Sequence, residues 1–141
     1  NGKGDTLFYF NTGLYNLNDS NQYPDYDQGL FEHTRQPGDM GAFRVPTLRN
    51  LAFSGPYFHD GSAATLEELL SVYENGGRTI TRGLYKGDGR KNRYKHPLIS
   101  GFSLNSQQRK DLVSFLLHLS DSSVITNPAY VNPFNEDETR Q

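Results

Sequence analysis

The chain contains no cysteine. That excludes a disulfide framework and a thiolate metal site within these 141 residues, and says little about compartment. A basic excess is also missing. The 14 Lys and Arg are set against 16 Asp and Glu, with no basic stripe, which argues against nucleic acid as a partner. The longest apolar run falls far short of a membrane span, and no signal-peptide pattern is visible. The chain opens at Asn1 rather than methionine, which points to a boundary made by processing or cloning.

Aliphatic side chains are scarce too. Only 34% of residues are hydrophobic, and Leu and Ile are thin outside two short segments, while nine Tyr and nine Phe are present. A self-standing chain of this length buries roughly 70% of its unfolded surface. Here Gly, Asn, Asp and Pro put much of the backbone into loops and turns. A large buried cofactor, a bound ion or a partner domain would supply the organisation that an aliphatic core does not.

Residues Asn1 to Gly41 carry almost no periodicity and read as ordered loop, a length that is uncommon unless it is functional or wraps something. The cluster Asp25, Asp27 and Gly29 has a superficial likeness to a calcium loop but lacks the EF-hand glutamate spacing. Turn-forming Asx residues account for it more simply. A short helical turn is possible around Thr47 to Leu51. The first clear helix follows: Thr65 is a good N-cap, Glu68 completes a capping box, and Gly76 and Gly77 stop it. Leu66, Leu69, Leu70 and Tyr73 share its buried face. Arg78 to Ser103 is basic and loop-like. A second helix, capped by Asn105, runs from about Ser106 to Leu119 with an apolar stripe of Leu112, Phe115, Leu116 and Leu119. After Asp121 the chain reads as an arm anchored by Tyr130 and Phe134, fraying at its acidic end. No strand pattern is strong enough to define a sheet.

The ordered series FRVPTLRN, GPYFHDGS, ATLEE and a helix closing on GG resembles the C-terminal haem domain of bacterial di-haem cytochrome c peroxidases. That superfamily includes the MauG-like enzymes. FNTGLYN near the start and DLVSFLLHLSD near the end resemble the MauG-like and methanobactin-associated members, so the likeness covers most of the chain. It implies a mainly α, loop-rich, cytochrome c-like haem domain with few helices, over residues 1–121, followed by an extended C-terminal arm over 122–141. The Cys-X-X-Cys-His motif that attaches haem c in the family is not in this chain. By the resemblance it would lie shortly before Asn1, with a missing N-terminal haem domain before that, so the domain would be incomplete without upstream residues.

The resemblance also assigns site residues. Fourteen positions after the FHDG histidine, His59, the peroxidase branch has a methionine on the second haem iron; this chain has Tyr73, as MauG-like proteins do. A phenolate is a hard anionic donor that favours oxidised iron. By itself, a tyrosine on an apolar helix face reads as core with its hydroxyl satisfied elsewhere. No second histidine stands at metal-ligand spacing from His59, so zinc is not indicated. The resemblance places His59 beside the haem edge, where it tunes the site; it reads equally as a structural histidine tying down the HDG turn. Ser54 and Pro56 match positions whose backbone carbonyls bind calcium between the haems. Arg44 and Arg49 are candidates to neutralise haem propionates, or surface arginines paired with local carboxylates. Phe43, Tyr57, Phe58 and Leu66 would wall the cofactor, or form a plain aromatic core.

The implied function is that of a MauG-like di-haem oxidoreductase, with high-valent haem iron derived from peroxide oxidising a tryptophan on a partner protein. No catalytic residue is assigned within the segment, which alone would be inactive. The implied setting is the periplasm, with two haems, calcium, and an electron-donor or substrate protein as partner. Two rivals stand beside it: an ordinary di-haem cytochrome c peroxidase, and a haem-free module holding calcium or carbohydrate on the loops from Asp19 to Gly29.

Overall fold

A computed structural model describes residues 8–130. Helices within it are short. One turn, α1 (Phe31–Thr34), precedes α2 (Leu66–Glu74) and α3 (Ser106–His118), and a further turn, α4 (Ser123–Thr126), follows. Two antiparallel ladders tie distant loops together. β1 (Tyr9–Phe10) lies on β2 (Phe43–Arg44), with Tyr9 opposite Arg44; β3 (Thr79–Ile80) lies on β4 (Gly87–Asp88), with Thr79 opposite Asp88. The expectation of a mainly α domain is corrected to this extent: loops dominate, and only α2 and α3 exceed a single turn among the described residues. Glycine and Asx residues at loop positions gave the helical register no room to spread.

Both longer helices start where their caps dictate. The Thr65 hydroxyl accepts from the Glu68 N–H at 3.2 Å, and the Glu68 carboxylate reaches back to the Ala64 N–H at 2.7 Å. Asn105 and Gln108 form a reciprocal capping box. The short turn expected near Thr47 falls slightly later, as a 3-10 turn at Leu51–Phe53.

The core is not where helical stripes would put it. Its centre is Leu14, Tyr15, Tyr23 and Met40, all from the segment that reads as loop. Helix α2 adds Leu66 and Leu70, whereas α3 buries only Leu116, and Phe115 of the expected stripe is 57% exposed. Buried amides replace the missing ladders. The Asn11 amide donates to the Met40 carbonyl at 2.8 Å and its oxygen accepts from Gly13 N–H and the Tyr23 hydroxyl, each at 2.8 Å. Asn16 donates to the Asp88 carbonyl and Asn92 to the Tyr15 carbonyl, so loop backbone is satisfied by side chains. Gly41, at φ +69°, lies so close to the Tyr23 ring that any Cβ would overlap it. Beyond Asp121 the described chain turns through α4 and a 3-10 turn, Pro128–Tyr130, instead of running extended. Tyr130 is 70% exposed and anchors nothing; Phe134 lies outside the described residues.

Candidate functional site

Tyr73 sits on the last full turn of α2, one turn beyond the buried Leu70. That turn is fixed from several sides. The Gly76 and Gly77 N–H groups close back on the Tyr73 and Val72 carbonyls at 3.0 and 2.9 Å. Lys95 donates its ammonium to the Gly76 carbonyl at 2.6 Å. Glu74, the next residue, forms an ion pair with Arg109 of α3 and accepts from the Leu104 N–H at 3.2 Å. The Tyr73 ring lies 6.0 Å from that of Phe58. Burial pushes its phenol above the usual tyrosine range. Tyr73 is half-buried as a residue, while its hydroxyl oxygen is open to solvent and has no hydrogen-bond partner among the described residues. A core tyrosine of ordinary kind pairs that group.

The GPYFHDGS loop is a tight excursion closed by a bridge between Tyr57 and Ala63. The Tyr57 hydroxyl donates to the Leu51 carbonyl at 2.9 Å. Between them Phe58 is held at φ +66°, an outlying conformation for a bulky side chain that persists only when its surroundings impose it. This turn sends two polar side chains to different partners. His59 Nε2 meets the Asp27 carboxylate at 2.9 Å, and its ring stacks on Phe43 with centroids 3.5 Å apart. Asp60 accepts from the Tyr15 hydroxyl at 2.9 Å, the Arg78 guanidinium at 3.0 Å and the Ser62 N–H at 3.0 Å. Burial alone would raise the Asp60 pKa, but the bonds from Ser62 and Tyr15, with the Arg78 charge, hold it below the usual carboxylate value. Arg78 also lies 4.5 Å over the Tyr15 ring and donates to the Leu14 carbonyl.

The remaining candidates lie on one exposed stretch. From Arg44 to Arg49 every residue is exposed, including Val45 at 45% and Leu48 at 55%. Neither Arg44 nor Arg49 has an ion-pair partner among the described residues. Asn50 then docks the stretch on the end of α3, its N–H donating to the Leu119 carbonyl at 3.1 Å. Ser54 and Pro56 flank an exposed turn, and their carbonyls accept no hydrogen bond among the described residues. Of the expected wall, Leu66 is buried within the protein, and Phe43, Tyr57 and Phe58 are half-buried.

The structure therefore brings Tyr73 and Phe58 together, and His59 with Phe43. It puts Arg44 at the exposed end of β2, and Arg49, Ser54 and Pro56 on exposed loops. The Asp60–Tyr15–Arg78 knot and the Asp27 partner of His59 were missed by sequence reasoning. FHDG flagged the first acid, but Tyr15 and Arg78 lie 45 and 18 positions away with no pattern linking them. Asp27 stood only in a cluster that reads as turn chemistry. No group of three or more His, Asp or Glu that could hold a metal occurs among the described residues.

A phenol without a protein partner, two guanidinium groups without ion pairs among the described residues, and the half-buried rings of Phe43, Tyr57 and Phe58 suit an iron porphyrin and its propionates. The class of fold they suit is cytochrome c-like, loop-built and without attachment cysteines in these 141 residues. Comparison with known proteins gives the family. No family model matches. The chain is 38% identical over 102 residues to the cytochrome-c peroxidase IdrP1 of Denitromonas iodatirespirans, spanning 72% of this chain and 24% of that protein. It is 35% identical over 109 residues to the methylamine utilization protein MauG of Methylorubrum extorquens, spanning 74% of this chain and 26% of MauG. The crystal structure of a MauG-like protein associated with microbial copper homeostasis superposes with a TM-score of 0.88 at 44% identity, over 95% of this chain and 41% of that one. The chain belongs to the bacterial di-haem cytochrome c peroxidase and MauG family of oxidoreductases. It spans about a quarter of the length of the curated relatives it matches.

Proposed function

We propose that this chain is the C-terminal haem domain of an exported, MauG-like di-haem oxidoreductase, that Tyr73 is the axial ligand of its haem, and that the whole protein uses peroxide to oxidise a tryptophan on a partner protein. The observation that carries the reading is Tyr73 itself, half-buried on a helix turn fixed by the glycine cap, with its hydroxyl open and without a protein partner among the described residues. When bound, the haem supplies redox-active iron, whose oxidised states a phenolate stabilises where a thioether would favour the reduced one.

The chain's own residues account for the rest of the arrangement. Burial keeps Tyr73 a neutral phenol at neutral pH, so ligation is linked to release of one proton. The Glu74–Arg109 pair and the glycine cap hold the oxygen in place against that loss. Phe58, forced to positive φ, packs beside the ring. His59 is oriented by Asp27 and Phe43, which leaves Nδ1 without a partner among the described residues to bond at the cofactor's edge. Arg44 and Arg49 would pair the propionates. The Ser54 and Pro56 carbonyls, unspent within the described chain, would share a calcium ion with the preceding domain.

The test is Tyr73→Phe in the full-length protein. The expected result is an altered absorption and electron paramagnetic resonance spectrum for one haem and an unchanged one for the other. Spectra identical to the parent's for both haems would remove Tyr73 from the iron. A second reading, reduction of peroxide with electrons from a small donor protein, draws on the relatives named cytochrome-c peroxidase. Tyr73 in place of methionine weighs against it. The module reading draws on the missing haem motif, and one carboxylate of its loops, Asp27, is already engaged by His59.

A further inference from the structure

Four of the nine tyrosines form one contiguous cluster that does not include Tyr73. Tyr15 packs edge-on to Tyr85 with centroids 5.7 Å apart, within the contact range of aromatic pairs. The Tyr85 hydroxyl is hydrogen-bonded to that of Tyr26 at 2.6 Å, and Tyr26 is 73% exposed. On the inner side Tyr15 meets Tyr23, centroids 5.4 Å apart. From these contacts we infer that Tyr15, Tyr85 and Tyr26 form a relay that passes single electrons from a donor at the surface to a strong oxidant in the protein interior.

The hydrogen bonds decide which tyrosines serve. A phenol gives up an electron readily only if its proton has somewhere to go. Tyr15 has an ionised carboxylate, Asp60 Oδ2, at 2.9 Å. Tyr23 is 1% exposed and donates only to the neutral Asn11 amide, so it is packing and not a station. At the exposed pair, the bond from Tyr85 pushes the Tyr26 hydroxyl up to about 12, so Tyr26 keeps its proton at neutral pH. The Arg78 cation lies over the Tyr15 ring, but its charge is largely offset by the ion pair with Asp60 at 3.0 Å. No cation is stacked on Tyr85 or Tyr26 among the described residues, and Tyr26 is 73% exposed, so an oxidising equivalent that reaches the pair is drained there by a donor or trap at the surface.

The steps balance. Tyr15 loses one electron to a one-electron oxidant of the haem–peroxide class and its proton to Asp60. Tyr85 gives an electron to the Tyr15 radical, the proton returns from Asp60 to the Tyr15 oxygen, and the Tyr85 proton leaves to water at the exposed pair. A hydrogen atom then crosses from the Tyr26 oxygen to the Tyr85 oxygen. A one-electron donor at the surface, a phenol or a redox protein, reduces Tyr26, with a proton from solvent. The native oxidant rests on the function proposed above; the relay geometry does not.

The test uses the full-length, haem-loaded protein in two arms, with a nitroso spin trap and peptide mass spectrometry as the readout. In the first, a ruthenium photo-oxidant is attached at Ser62→Cys, two residues from Asp60 and exposed, in a segment with no cysteine of its own, the haem-attachment cysteines elsewhere being blocked as thioethers. A flash should leave the adduct mostly on Tyr26 and Tyr85; Tyr85→Phe should strand it on Tyr15 and cut the Tyr26 adduct at least fivefold. Adduct confined to Tyr15 in the parent, or a distribution unmoved by Tyr85→Phe, overturns the relay. In the second arm peroxide replaces the flash. The same pattern supports both proposals, whereas a positive flash arm with no adduct under peroxide upholds the relay and counts against the haem reading.

Discussion

Asp60 is the residue on which the geometry of the HDG turn is expected to depend most. Its carboxylate is 11% exposed and serves three donors: the Tyr15 hydroxyl, the Arg78 guanidinium and the Ser62 N–H. Asp60→Ala leaves the Arg78 charge, itself 19% exposed, without its counter-ion and the Tyr15 hydroxyl without an acceptor. Breaking a buried pair in this way costs about 3–5 kcal/mol, and residual exposure on both sides puts this case near 3. Asp60→Asn keeps an acceptor oxygen but loses the charge, for about 1–2 kcal/mol. The sign of the pH dependence follows from the depressed folded pKa. The Asp60 contribution is whole above the ordinary carboxylate value of 3.8 and is lost as pH falls through the lower folded value. The stability gap between parent and Asp60→Asn is therefore flat at neutral pH and closes in acid. Urea titration of the full-length protein, followed by circular dichroism at several pH values, measures both quantities. An Asp60→Ala loss below about 1 kcal/mol, or a gap to Asp60→Asn that persists unchanged at the lowest pH, would refute the reasoning.

Gly89→Ala should destabilise by about 1–3 kcal/mol, because a Cβ there would overlap the Gly13 carbonyl, a backbone atom that cannot swing aside. Gly38→Ala, in open space, is the control and should stay within about 0.5 kcal/mol in the same denaturation assay. Glu74→Ala should cost about 1–2 kcal/mol by stranding Arg109 and the Leu104 N–H, and in the haem-loaded protein it should broaden the spectrum of the haem that Tyr73 is proposed to ligate without abolishing it. Chelation of calcium should weaken the response of one haem to a redox change at the other. An equal two-haem peroxide response with and without the ion would remove Ser54 and Pro56 from a cation site.

The two longer helices could be read from the chain almost to the residue, because capping is local. Thr65 and Asn105 bond to backbone groups two or three positions away, and Gly76 and Gly77 end α2 through their own φ freedom. The position of Tyr73 on that helix was equally visible. The core was not. Leu14, Tyr15, Tyr23 and Met40 lie in a stretch without periodicity, where burial comes from loops wound around one another and no repeat of 2 or 3.6 residues is needed. The stripe on α3 misled for the converse reason: its period is real, but Phe115 faces away from everything described.

What the sequence by itself determined is therefore a set of local decisions: two capped helices, their glycine stops, the FHDG turn, and a phenol where the peroxidase branch has a thioether. Tertiary structure decided which of those groups have partners. Asp27 reaches His59 across 32 positions and Asp60 reaches Tyr15 across 45, and each separation is spanned by irregular chain whose path has no sequence period. Caps and turns are settled by bonds only a few residues long, whereas the pairing of buried charges and hydroxyls depends on how distant loops cross, and that is fixed only when the whole chain has closed on itself.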